Sequence, residues 1–117
     1  MAMYVLSDST KKVIEYASKE LKAVIRYHCG LQSSTNKDDI PWDATYILNA
    51  LDNIIQLMNR SKGYGDISGR QVDRLLKDIK NISDRARSLS EKMGKDMTRE
   101  INSFNESLII KDYSIIQ

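Results

Sequence analysis

At 117 residues the chain has the length of one domain, enough to bury a modest core and too short for two independent folds. Hydrophobic residues at 41% and charged residues at 29% fit a soluble globular protein and argue against disordered, collagen-like or disulfide-scaffold chains. A net charge of +2 is too small to act as an electrostatic footprint for nucleic acid, and five Gly with one Pro leave long helices as the simplest reading.

No apolar run approaches the roughly 20 residues that cross a bilayer, and MAMYVLSDST lacks a basic segment followed by a long apolar one. The expectation is a soluble, unexported, cytoplasmic chain without a membrane partner. Cys29 is alone, so no internal disulfide framework or multi-cysteine zinc site is available. High Ile and Lys usage beside few Ala hints at an AT-rich source genome, such as a phage, virus or plasmid.

The first helix is expected over about residues 9–29. Ile14, Ala17, Leu21, Val24 and His28 recur at steps of three and four and form one helical stripe. Asp8, Ser9 or Thr10 can cap its start, and Gly30 suits the left-handed position past its end. Residues 31–39 are polar and turn-forming. The second helix is expected over about 40–61, with Pro41 compatible with its first turn and, if Asp43 is the cap, Trp42 and Ile47 at the two positions of a hydrophobic staple. Its stripe is Ala44, Ile47, Leu51, Ile54 and Met58, widened by Leu48, Ile55 and Leu57, and Gly63 ends the pattern.

The third helix is expected to open on a capping box at Ser68–Gln71 and to run over about 69–110. Its seam comprises Val72, Leu75, Leu76, Ile79, Ile82, Ala86, Leu89, Met93, Met97, Ile101, Phe104 and Leu108. Gly94 decides the architecture. A helix continuing through it forms a rod of about 60 Å, which one neighbour of ordinary length cannot cover. A break there, with Asp96 capping a further helix, gives a four-helix bundle. Continuity is the favoured reading, because the apolar period survives Gly94 and an interior Gly costs only about 1 kcal/mol relative to Ala. The short apolar tails, 1–6 and 109–117, are open to three readings: frayed helix, small strands or docking segments. The fold class is therefore all-α: an antiparallel bundle of two ~20-residue helices on a long C-terminal helix, in a single domain over 1–117.

The candidate chemistry is sparse. His28 beside Cys29 invites a catalytic or zinc reading, but adjacent helical residues point about 100° apart and no second His or Cys completes a ligand set. The Gly63–Arg70 loop leads into a helix start yet lacks the lysine motif of a phosphate loop. Asp73–Lys77 and Glu91–Lys95 are spaced for ordinary helix ion pairs rather than paired-carboxylate catalysis. No catalytic residue, metal, cofactor or small-molecule ligand is expected.

The strongest charge signal is residues 60–99, which carry eleven basic and six acidic side chains. Interleaved acids give this stretch the pattern of a solvated mixed-charge face. The reading that follows is a non-enzymatic protein–protein interaction module: an adaptor, an inhibitor or a small subunit of a larger assembly, forming a homodimer or binding another protein. Its expected partner surface is Met93, Met97, Ile101, Phe104 and Leu108, where the seam outruns its cover, with Tyr64 as an exposed loop contact. On this reading Met97→Asp and Ile101→Asp dissociate the protein without unfolding the first two helices. The alternative is nucleic-acid binding or regulation through Arg70, Arg74 and Lys77, whose phosphate contacts would weaken with salt.

Overall fold

A computed structural model describes residues 3–6, 8–29, 41–60, 69–107 and 113–116. Four helices supply the body: α1 (Asp8–His28), α2 (Trp42–Arg60), α3 (Gly69–Met93) and α4 (Thr98–Asn105). Two four-residue strands, β1 (Met3–Leu6) and β2 (Tyr113–Ile116), pair antiparallel with Met3 opposite Ile116 and Leu6 opposite Tyr113. The fold is helical as expected, and the tails take the strand option among the three left open. Helix α1 packs on α2 and α4, and α3 packs on the same two elements.

Each helix buries the stripe its period marks. In α1 these are Ile14, Ala17 and Leu21, joined by Ile25, while Val24 and His28 lie at the edge of the core. In α2 the buried positions are Ala44, Ile47, Leu51, Ile54 and Met58. Helix α3 adds Val72, Leu75, Ile79, Ile82, Ala86 and Leu89. Polar side chains enter this core with partners. The Ser18 hydroxyl donates to the Ile14 carbonyl at 2.6 Å and Ser83 to the Ile79 carbonyl at 2.8 Å, which spares the cost of a dry, unbonded hydroxyl. Lys11 is fully buried, its ammonium 3.9 Å from the exposed Asp8 carboxylate.

The start of α2 departs from expectation. Thr45 N–H donates to the Pro41 carbonyl at 3.2 Å, which makes Pro41 rather than Asp43 the residue that opens the helix. Trp42 is 71% exposed, so it does not staple onto Ile47. Its ring stacks instead on Tyr46, one turn along the same face, with centroids 5.8 Å apart and planes 28° off parallel. Asp43, released from capping, accepts from Lys92 at 3.0 Å.

The expectation of a helix running through Gly94 is overturned. Gly94 has φ +64° and is the left-handed residue of a Schellman cap. Lys95 N–H donates to the Ser90 carbonyl at 3.1 Å and Gly94 N–H to the Glu91 carbonyl at 3.2 Å. The Ser90 hydroxyl donates back to the Lys95 carbonyl. Asp96 then accepts the Thr98 N–H at 3.0 Å and starts α4 from just outside it, because the residue at the cap position itself, Met97, has no side-chain acceptor to offer.

Burial decides this reversal. A straight helix keeps a few backbone bonds, each worth about 0.5–1.5 kcal/mol net, but leaves the far seam wet. Turning back buries Met97 (0% exposed), Ile101 (1%) and Phe104 (0%) against α1 and α3, at roughly 1.5–3 kcal/mol per side chain. The molecule measures 49 Å along its longest axis, shorter than the rod of about 60 Å that continuity requires.

Candidate binding groove

Helices α2 and α3 run in opposite directions, since Asp43 at the start of α2 meets Lys92 near the end of α3. At the other end, Leu57 lies across from Gln71. The pair is bridged in between by Asn81, whose amide donates to the Tyr46 hydroxyl at 3.1 Å. From the Tyr46–Asn81 bond to the Leu57 and Gln71 end, an open groove of about 520 Å³ remains. Helical spacing builds its two walls: Tyr46, Asn49, Ala50, Asn53, Ile54 and Leu57 from α2, and Gln71, Arg74, Leu75, Asp78, Asn81 and Ile82 from α3.

The floor is apolar because Ile54, Leu75 and Ile82 are the outer edge of the core, continued by the half-buried Ala50 and Leu57. The rim is polar and exposed, with amides at Asn49, Asn53, Gln71 and Asn81 and one charge of each sign at Arg74 and Asp78. One end carries an aromatic–cation stack. The Arg85 guanidinium carbon lies 4.1 Å from the Tyr46 ring centroid, Arg85 Nε donates to Asn81 Oδ1 at 3.4 Å, and Trp42 lies stacked on the same tyrosine. Such a site can desolvate an apolar side chain on its floor while its amides, which both donate and accept, satisfy neutral polar groups above.

The residues expected to form a partner surface are distributed differently. Met97, Ile101 and Phe104 lie in the core and are unavailable to a partner, because the reversal turns this face of α4 onto α1 and α3. Met93 is half-buried, its sulfur accepting from the Cys29 thiol at 3.7 Å. Leu108 and Tyr64 lie outside the described residues, as do the Gly63–Ser68 connector and its capping serine. Arg70, Arg74 and Lys77 are all exposed on α3, and only Arg74 reaches the groove.

His28 and Cys29 meet different neighbours. The His28 ring meets Tyr27 edge-on at 5.3 Å, and burial pushes the Cys29 thiol above its ordinary pKa. Among the described residues, no three His, Cys, Asp or Glu side chains converge as a metal site, and no helix is long and apolar enough to cross a membrane. The groove escapes sequence reasoning because Asn49, Asn53 and Asn81 look like ordinary solvent-facing positions. The available signal is Leu57, an apolar residue on that otherwise amide-rich shoulder of α2. Compared with protein-family models, curated proteins and solved structures, the chain matches none of them.

Proposed function

We propose that this protein is a non-enzymatic protein-binding domain, acting as an adaptor, an inhibitor or a small subunit of a larger assembly in the cytoplasm, and that the α2–α3 groove receives an amphipathic helix of its partner. The observation that carries this reading is the combination of an apolar floor with an amide rim between two antiparallel helices. From Tyr46 to Leu57 the groove follows α2 for about 16 Å, the length of three helical turns. A partner side chain every third or fourth residue would meet Ala50, Ile54, Leu57 and Leu75 in turn. The Met97–Phe104 seam plays no part in this, since Met97, Ile101 and Phe104 are buried within one chain.

The test is site-specific photocrosslinking in lysate of the source cell. A photoreactive residue at Asn53, on the groove rim, should capture a discrete protein, whereas one at Lys80, in the cleft between α3 and Asn105, should not. Equal capture from both positions, or none from Asn53, overturns the reading.

A second reading rests on Arg70, Arg74 and Lys77, which share one outward face of α3 at spacings of four and three. Asp73 and Asp78 on the same helix offset them, so it ranks below the first. Nucleic-acid binding requires a mobility shift at low salt that disappears on charge reversal of these three residues.

A further inference from the structure

The outer face of α1 repeats with a period of seven. Val13, Tyr16, Glu20, Ala23 and Tyr27 follow the a and d positions of a heptad, yet they lie on the side of the helix away from the core. Val13 is 53% exposed, Tyr16 66% and Tyr27 80%. One step before each a position stands an exposed cation, Lys12, Lys19 or Arg26, about 10.5 Å from the next along the helix. Lys19 shares its charge with Glu15 at 2.9 Å. Toward α2 the basic row borders a shallow groove of about 310 Å³ that also includes Lys22, held at 2.6 Å by Asp52, and the apolar Ala23 and Ile55.

We infer that this face is a second docking surface, separate from the α2–α3 groove, for an acidic amphipathic helix of a partner protein. Aromatic and aliphatic side chains at a and d supply the apolar seam, and the flanking cations select the sign of the partner's flanks. A second copy of this chain is a poor occupant. In an antiparallel pair, Lys12, Lys19 and Arg26 face their own counterparts. In a parallel pair they face Ala17 and Val24, which belong to the core side and offer no carboxylate. Glu20 at the central a position calls for a cation in the facing seam and fixes the register.

The experiment uses the full chain and three-heptad synthetic peptides with Leu at a and d, Lys at the central a, and either Glu or Lys at every e and g. Like-charged flanks keep each peptide from pairing with itself. Fluorescence anisotropy at low salt should show the Glu peptide binding roughly tenfold or more tightly than the Lys peptide, the gap narrowing as salt rises. The triple variant Lys12→Glu/Lys19→Glu/Arg26→Glu, folded by circular dichroism, should exchange that preference. Tyr16→Ser with Tyr27→Ser should weaken both peptides, while Asn53→Arg in the other groove should change neither. Absence of Glu-peptide binding, equal binding of both peptides, a preference that does not exchange, or loss of binding in Asn53→Arg overturns the proposal. So does binding of a single-stranded oligonucleotide or an anionic vesicle through these cations when the peptide fails to bind.

Discussion

Replacing Gly94 by alanine separates the two architectures by the sign of its effect. In the structure Gly94 has φ +64°, and an added Cβ meets no heavy atom within 4 Å, so the penalty is the local left-handed backbone cost alone. That cost is about 1–2 kcal/mol for an L residue with a Cβ. In a domain of this size it lowers Tm by roughly 4–8 °C. Gly94→Asn, which tolerates the left-handed region better, should lose distinctly less. If α3 ran on through residue 94, Gly94→Ala would instead stabilise the helix by about 1 kcal/mol. Urea unfolding followed by far-ultraviolet circular dichroism reads the difference, with an unchanged m-value showing that the surface exposed on unfolding stays the same. A Gly94→Ala protein more stable than the parent refutes the Schellman turn and, with it, the burial of α4.

Three further outcomes follow from the core and its edges. Met97→Asp and Ile101→Asp each place a carboxylate at a site no more than 1% exposed, so they should cost several kcal/mol and abolish cooperative melting. A well-folded variant of lower mass by light scattering would restore the exposed-seam reading. The Cys29 thiol, raised in pKa by burial and bonded to the Met93 sulfur, should react with iodoacetamide near neutral pH more slowly than free cysteine, and equal rates would contradict that environment. Asp96 has its pKa lowered by its side-chain hydrogen bond to Thr98 and by the Thr98 backbone N–H. A depressed carboxylate contributes stability above its unfolded pKa and loses it as pH falls through the folded value. Any stability advantage over Asp96→Asn should therefore hold near neutrality and shrink only below about pH 4; an advantage that grows on acidification has the wrong sign.

Helix periodicity made most of the core legible, because a buried stripe repeats every three or four residues whatever it packs against. All five expected stripe residues of α2 are buried, and α3 follows its pattern to Leu89. The same property hid the break at Gly94. Met93, Met97 and Ile101 keep steps of four across the reversal, since the end of α3 and the start of α4 face one core from two directions. The local punctuation, Gly94 followed by Asp96 and Thr98, was the better guide. The groove depends on how α2 and α3 lie relative to each other, a three-dimensional quantity that no single helix pattern carries. The exposed heptad on α1 was obscured for a related reason: the buried stripe of the same helix accounts for its amphipathic signal without reference to Tyr16 or Tyr27. Buried Lys11 has no sequence signature at all, since its spacing is equally that of a surface lysine.

The pairing of Met3 with Ile116 sets the order in which the molecule can be completed. Contacts among the helices do not depend on residue 116, whereas this ribbon cannot pair until residue 116 has left the ribosome. Two strands of four residues do not hold together unaided in water, so the ribbon closes onto a helical body that is already in place. It works as a late clasp on that body.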